Sequence, residues 1–268
     1  MTRTAWGGAA LAAILLGLAV VGPWIAPDPL VMDNLATGAL LPPSSAHLLG
    51  TDQHSRDVFS RLAHGATVSL TVAVVAVLVA LVIGATVGVI AGAGGTVLAA
   101  SLRRITDLAL ALPRIVVLMV LLAAIGTLPP LTFAMVIGAT GWPAIARLVR
   151  GETLRLRRAE YVVAARALGA PSPRVLWREV LPGALAPALV AATLGVADAI
   201  LLEAGLSFLG LGMVSPAPSW GGMILESRDY LHVAPWLLLV PVTALVAATS
   251  SATLMGEALR RFLQPDTP

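Results

Sequence analysis

The 268-residue sequence contains no cysteine and no lysine, and only 12% of its residues are charged. Without cysteine, the chain forms no disulfide and offers no thiolate to a metal or an iron–sulfur cluster. Without lysine, it has no Gly-Lys-Ser/Thr phosphate-binding loop, so any ATP must be bound by another subunit. Soluble domains carry about 25% charged residues. So few charges, in a chain that is 58% hydrophobic, predict that its solvent is the lipid bilayer.

All 17 basic residues are arginine, and the formal net charge is +3. A basic balance raises nucleic-acid binding as one interpretation. Arginine also gathers on the cytoplasmic loops of membrane proteins, and we favour that interpretation. We predict no catalytic residues, because the sequence shows no catalytic serine or carboxylate constellation. We predict no metal site, nickel included, because no two of the histidines at positions 47, 54, 64 and 232 have the i, i+4 spacing of a helical metal site.

Six apolar runs are long enough to span a membrane as helices, which needs about 20 residues each. We expect the first run to be an uncleaved span rather than a signal peptide. Consecutive prolines at 129 and 130 break a helix and separate the third span from the fourth. We therefore predict an all-α membrane protein. The predicted spans are Thr4–Pro27, Gly65–Leu102, 106–127, 131–150, Val180–Ala197 extended past Asp198, and Val233–Gly256.

The arginines predict the orientation of these spans. With the N-terminus inside, only Arg56, Arg61 and Arg228 fall on outer segments. An excess of arginine on inner segments indicates that both termini and residues 157–183 are cytoplasmic. The arginines assigned to inner segments are Arg3, Arg103, Arg104, Arg147, Arg150, Arg155, Arg157, Arg158, Arg166, Arg174, Arg178, Arg260 and Arg261.

The inner stretch 157–183 reads RRAEYVVAARALGAPSPRVLWREVLPG. Alanine-rich residues Ala159–Leu168 favour a helix, and Gly169 stands where a left-handed cap is expected. A second short helix is predicted from Pro173 to about Val180, before Pro182 opens the next span. Small residues beside aromatic and arginine side chains are typical of an interface, so we expect this stretch to bind a partner. The alternative is an amphipathic loop that rests on lipid headgroups.

Four ionisable residues lie in or near the predicted spans. Asp198 and Glu203 fall at the end of the fifth span, where a charge is costly and is often functional. The alternative is that both are solvated charges at a helix end. Asp107 and Arg114 frame the third span, and we interpret them as structural residues at the cytoplasmic interface.

The outer segment 204–232 is rich in glycine, proline and serine. Non-helical backbone near membrane depth is tolerated only when it is buried in protein or lines a cavity, which makes this segment a candidate pathway or docking element. The alternative is an ordinary interfacial loop anchored by Trp220, Tyr230 and Trp236.

The stretch EYVVAARALG followed by VLP resembles the EAA loop of ABC importer permeases, a coupling helix that sits in a groove of the cytoplasmic ATPase. The family pattern is Glu-Ala-Ala, three residues, Gly, and then Leu-Pro. The matching residues are Ala164, Ala165, Gly169, Leu181 and Pro182. Val163 stands where the family has the glutamate, and Glu160 lies three residues earlier.

Further stretches are similar to the C-type permease subunit of dipeptide, oligopeptide and nickel importers. One of them departs from the pattern, with Ser55 in place of the usual glycine, and Arg114 is an unusual polar residue after DLALALP. The similar stretches are GPWIAPDPL near the start, His47–Leu70, Asp107–Pro113, Glu203–Gly212 and Pro216–Ile224.

The resemblance implies a type I ABC importer permease (MetI-like) fold of about six transmembrane helices. Residues 1–64 would form the first helix and an outer segment, and residues 65–268 the permease core with its coupling loop. The implied coupling residues are Glu160, Tyr161, Ala164, Ala165, Arg166, Gly169 and Pro182. The implied pathway or outer-gate residues are Glu203, Ser207, Phe208 and Trp220.

The same resemblance implies the partners. They are a homologous second permease, two ATPase subunits that carry ATP and Mg²⁺, and an extracytoplasmic substrate-binding protein, all at the cell membrane of a bacterium. The expected cargo is a dipeptide or oligopeptide, and nickel or another small solute is the alternative. A stand-alone secondary transporter would predict an inverted repeat and paired mid-membrane charges, and we find neither in the sequence. An intramembrane enzyme would need a catalytic pair inside the spans.

Overall fold

The computed structural model describes residues 3–94, 97–213 and 218–263. Within these ranges the chain forms α-helices, short π and 3₁₀ turns and one isolated bridge, and no strand. The helices are α1 (Arg3–Ile25), α2 (Leu35–Gly38), α3 (Val58–Ala93), α4 (Val97–Ala111), α5 (Arg114–Ile125), α6 (Pro130–Leu156), α7 (Glu160–Ala167), α8 (Ser172–Val175), α9 (Leu181–Phe208), α10 (Trp220–Ser227) and α11 (Trp236–Leu263).

Five of these helices are long and apolar enough to cross a membrane, and a sixth crossing exists if α4 and α5 count as one bent span. The expected all-α membrane fold is confirmed. We call the end of the helix bundle that carries residues 157–183 the loop end, and the opposite end, which carries α10, the far end.

Glycines on α3 allow this helix to lie directly against α6. Gly84, Gly88 and Gly92 recur every four residues and share one face of the helix. A Cβ atom at Gly88 would lie 2.7 Å from both the Ala146 carbonyl oxygen and the Val149 Cβ. Small residues let two backbones approach where lipid supplies no hydrophobic force between helices. The α3–α6 pair therefore forms the closely packed centre of the bundle.

The first and last helices pack against each other and complete the bundle. The Ser251 hydroxyl on α11 donates to the Gly8 carbonyl on α1 at 3.0 Å, and Gly8 lies against Leu254. Gly256 on α11 meets Leu194 on α9 in the same way. Both termini of the described chain consequently lie at the loop end.

The predicted third span, 106–127, is wrong as a single helix. The chain bends by 88° between α4 and α5. Pro113 is the cause, because it has no N–H to donate and biases the preceding residue to extended geometry. The predicted second span also ends earlier than Leu102, because Gly94 takes a left-handed φ of 79° after Ala93.

Two further proline sites have different effects on the helices, since one begins a helix and the other lies within a continuous one. The break at Pro129 and Pro130 is confirmed, since α6 begins at Pro130. The helix predicted from Pro173 to about Val180 is confirmed in position, but its predicted separation from the next span is wrong. The backbone continues from α8 through a π turn, Leu176–Val180, directly into α9. A π turn re-satisfies backbone groups where proline interrupts the regular ladder, so the chain needs no break there.

Candidate functional site

The loop at 157–183 forms a short helix that is held by one buried side chain. Val162 on α7 is completely buried in an apolar cluster with Val149 and Leu156 of α6 and with Val175 and Val180. The loop is therefore packed onto the loop ends of α6 and α9. The predicted cap is confirmed, because Gly169 has a φ of 84° and nothing lies within 4 Å of its missing Cβ.

The rest of α7 and its cap face outward. The side chain of Leu168 is 89% exposed and that of Trp177 is 67% exposed. Ala165 is half-buried. Exposed large apolar side chains clustered around small residues mark an interaction site. The exposed members of this surface, which we call the loop face, are Glu160, Tyr161, Val163, Ala164, Arg166, Ala167, Leu168, Gly169, Trp177 and Pro182.

Arg157 ties the start of the loop to α3. Its guanidinium Nη1 donates to the Gly92 carbonyl at 3.0 Å and also to the Ala93 carbonyl. These are among the last carbonyls of α3, which have no partner inside the helix, and a positive charge is favourable at that end. Sequence reasoning missed this role, because nothing distinguishes Arg157 from the neighbouring arginines.

At the far end, Glu203 is a buried polar junction and not a solvated helix end. Its carboxyl group is 0% exposed and accepts from the Ser69 hydroxyl at 3.1 Å and the Ser207 hydroxyl at 2.9 Å. The Ser69 hydroxyl also accepts from the Trp220 backbone N–H at 3.2 Å. The interpretation of Glu203 as a solvated charge is therefore wrong, and α3, α9 and α10 meet at this carboxyl group.

Trp220 and Phe208, two of the predicted pathway residues, differ in burial. The Trp220 indole is completely buried and donates to the Leu62 carbonyl at 3.1 Å, so its interpretation as an interfacial anchor is wrong. Phe208 is 43% exposed. Of the four predicted pathway residues, Ser207 alone lines the far-end cavity of about 280 Å³. The first two residues of the stretch at 216–224 lie outside the described residues.

An ion cluster lines the same cavity and was not predicted. Arg61 is 5% exposed and joins Asp52 at 2.6 Å to Glu226 at 2.8 Å. Arg56 contacts the same two carboxylates, at 2.6 and 2.7 Å. Burial opposes the charge of Glu226, but the hydrogen bonds and charges of Arg61 and Arg56 outweigh burial and lower its pKa. The cluster fastens the segment before α3 to α10.

Three residues in and beside this cluster form a candidate group of metal ligands. Ligand atoms of Asp52, His54 and Glu226 lie within 4.8 Å of one another. The two carboxylates already hold guanidinium groups, which a cation would have to displace. The absence of a metal site stays a prediction for this chain.

The two charged residues that frame the bent span have separate partners. Asp107 pairs with Arg147 at 3.1 Å, with both side chains 58% exposed. Arg114 lies at the bend and pairs with Asp198 of α9 at 2.6 Å. It also donates to the Ile137 carbonyl at 2.7 Å. The predicted location at the cytoplasmic interface is therefore wrong for Arg114, which pairs with the ionisable residue of the fifth span.

Comparison with known proteins gives a consistent result. The family described as binding-protein-dependent transport system inner membrane component matches residues 84–267. The dipeptide transport system permease protein of Alkalihalophilus pseudofirmus is 38% identical over 224 residues, which are 83% of this chain and 73% of that protein. A putative peptide permease protein of Brucella suis is 40% identical over 244 residues, 90% of this chain and 80% of the relative. The di/tripeptide transport system permease protein of Pseudomonas aeruginosa is 35% identical over 271 residues, with shares of 98% and 88%.

Proposed function

Because this chain belongs to the family of binding-protein-dependent transport system inner membrane components, we propose that it forms half of the pathway by which an ABC importer moves peptides across the cell membrane. It is a multi-pass membrane protein and a permease subunit, not itself a catalytic one. Peptide cargo is supported by the relatives, whose names specify dipeptides, tripeptides or peptides.

The loop face is the surface to which the ATPase subunits bind and through which their ATP-driven movement reaches this chain. Its supporting observation is a contrast in burial, because Val162 of α7 is completely buried while Leu168, at the C-terminal cap of the same helix, is 89% exposed. One side chain fixes the helix to the bundle, and the opposite face is left for a partner of complementary apolar shape. Two ATPase subunits, which bind ATP and Mg²⁺, would bind this loop and its counterpart on a homologous second permease.

The glutamate of the family pattern has no equivalent in this interface. Val163 is 53% exposed at that position, and Glu160, one turn earlier, is also exposed. Docking in this protein would therefore depend on Ala164, Leu168 and Gly169, whose small or apolar surfaces admit a close contact. A salt bridge from position 163 is not available.

The contacts of the loop suggest how a movement would spread. ATP binding would bring the two ATPases together and displace α7. Val162 would transmit this displacement to α6 and α9, and Arg157 would transmit it to the end of α3. Packed helices respond by switching between discrete arrangements, so the pathway would open to one side at a time.

The partners and orientation follow from the same proposal. The loop end would face the cytoplasm of a bacterium together with both termini, in agreement with the arginine distribution. The far end, with its cavity and ion cluster, would face the substrate-binding protein. Residues 65–268 would act as the permease core, and residues 1–64 would add a span and an outer segment.

The decisive experiment substitutes one exposed residue of the loop face. In the complex of this chain with its second permease and ATPases, Leu168→Arg should abolish co-purification of the ATPases and lower ATP-driven uptake about tenfold or more, since a charge is forced into an apolar contact. Phe262→Arg is the matched control, because Phe262 is 81% exposed at the same end but outside the loop. Retained ATPases and uptake in Leu168→Arg would refute the proposal.

A further inference from the structure

The ion pair of Arg114 and Asp198 lies well inside the span formed by α9. Asp198 is ten residues before the end of α9 at Phe208, which places it about 15 Å from the far end of that helix. A hydrocarbon core is about 30 Å thick, so the pair lies near its middle. Arg114 stands at the 88° bend between α4 and α5. Broken helices near the midplane are typical of transporter binding sites.

Both members of the pair are charged and partly exposed on this chain, which is unfavourable against lipid. The side chain of Asp198 is 60% exposed and that of Arg114 is 29% exposed. A charge at the bilayer centre is costly, and such residues face a protein interior or a water-filled cavity. In the assembled transporter this side of α9 therefore faces an aqueous space or the second permease, and not lipid.

Arg114 is held independently of Asp198. Its Nη2 donates to the Ile137 carbonyl at 2.7 Å and its Nε donates to the Thr140 hydroxyl at 3.3 Å. Only Nη1 is directed at Asp198. The guanidinium group therefore keeps its place if a ligand anion replaces the Asp198 carboxylate.

A small cavity adjoins the pair. Its volume is about 170 Å³, and its walls are mainly alanine and glycine from α3, α6 and α9, including Ala80, Gly141 and Gly195. The space suits the end of a small molecule and not a whole peptide. The polar groups among its lining residues are Arg114 and Asp198.

We propose that Arg114 and Asp198 form a contact site for the charged ends of zwitterionic peptides in the translocation pathway. A ligand with a single charge is attracted by one member of this pair and repelled by the other. A zwitterion satisfies both, with its carboxylate on Arg114 and its ammonium on Asp198, through charge-assisted hydrogen bonds. This inference rests on the proposed function, since it assumes a pathway along α9.

The first test uses the absence of cysteine from the chain. Gly195→Cys leaves the pair intact, since Gly195 lines the cavity one turn before Asp198 and a Cβ there makes only ordinary contact with Val77. This variant, in a complex whose partner subunits also lack cysteine, is treated with a membrane-impermeant thiol reagent with and without ATP. Labelling in at least one nucleotide state, slowed about fivefold or more by saturating dialanine, is expected if the ligand covers the site. Val82→Cys is the control, at a 66% exposed position on the apolar face of α3, and it should label slowly in every state.

The second test asks for charge specificity. Uptake of dialanine is compared with uptake of its N-acetylated and C-amidated forms, each normalised to its affinity for the binding protein. Asp198→Asn should lower dialanine uptake about tenfold and leave N-acetylated dialanine much less affected, because only the free amino terminus uses Asp198. Asp107→Asn is the matched control, since it removes another arginine pair and should not alter the ratio.

The outcomes separate this inference from the proposed function. If peptide-loaded binding protein fails to stimulate ATP hydrolysis by the wild-type complex, the proposed function fails. If stimulation is intact but Gly195→Cys is never labelled, is labelled like Val82→Cys, or is not protected by dialanine, the pair lies outside the pathway or against the second permease. An equal loss for all three peptide forms in Asp198→Asn shows a purely structural pair. Each of these last results overturns the inference.

Discussion

The Arg157 guanidinium donates to the Gly92 carbonyl at 3.0 Å, which joins the first residue of the loop to the last turn of the central helix α3. The two residues are 65 positions apart in the chain. Gly94 turns the backbone away immediately after α3, so that the guanidinium reaches the last carbonyls of the helix. This contact attaches the loop directly to a helix that packs closely against α6 between Gly138 and Thr153.

Substitution of Arg157 should weaken both stability and coupling. Arg157→Ala leaves the carbonyls of Gly92 and Ala93 without their cationic partner, and we expect a loss of about 1 kcal/mol in the free energy of unfolding. ATP-driven uptake should fall more than the amount of folded complex. Arg158→Ala is the control, because Arg158 is exposed, and it should change neither. Equal behaviour of the two variants in thermal unfolding and uptake would contradict this role.

Substitution of Glu203 should separate hydrogen bonding from charge. Glu203→Leu removes the acceptor for Ser69 and Ser207 and should cost about 1–3 kcal/mol of stability, the cost of unsatisfied buried donors. Glu203→Gln keeps a carbonyl oxygen in the same place and should cost less. Thermal unfolding of the purified protein in detergent measures both. A glutamine variant as unstable as the leucine variant would show that the negative charge itself is required.

The closeness of α3 and α6 predicts a steric effect at Gly88. Gly88→Ala places a methyl group 2.7 Å from the Ala146 carbonyl and should cost about 1–3 kcal/mol through overpacking. Gly151→Ala is the matched control on α6, since nothing lies within 4 Å of its added methyl group, and it should be neutral or slightly stabilising. Equal unfolding temperatures for the two variants would contradict the close packing.

Acid should weaken the far-end cluster through Glu226. Its pKa in the folded protein is lowered from the ordinary 4.5, so its contribution to stability is complete above that value and is lost as the pH falls through the lowered pKa. Stability of the wild-type protein should therefore decrease on acidification below pH 4.5. Glu226→Gln should be less stable at pH 7, because the buried Arg61 and its neighbour Arg56 then share Asp52 as their remaining carboxylate in the cluster, and it should lose less on acidification. Parallel pH profiles for the two proteins would refute this assignment.

The fold was predictable where one property of the sequence dominates. Long uncharged runs locate α1, α3 and α11, and the Pro129-Pro130 pair locates the start of α6. The bend at Pro113 was missed because a single proline inside an apolar run either bends a helix or is absorbed. Pro187 and Pro241 are absorbed within their helices, and the neighbours that decide the matter are far away in sequence.

The candidate site was predictable in the loop but not at the polar contacts. Local propensity alone locates α7 and the left-handed Gly169. In contrast, Arg114 and Asp198 are 84 positions apart, and their contact depends on how α5 packs against α6 and α9. Ser207 lies one turn from Glu203 on α9, but the burial of Glu203 also requires Ser69 of α3 and Trp220 of α10, which no periodicity along α9 reveals.

The loop face carries the central claim, and cross-linking tests it most directly. A photoreactive thiol reagent is attached to Leu168→Cys in the assembled complex, and Phe262→Cys serves as the control at the same end of the bundle. The account predicts adducts between position 168 and the ATPase subunits, and none of comparable yield from position 262. Adducts of position 168 with lipid alone, or equal yields from both positions, would contradict it.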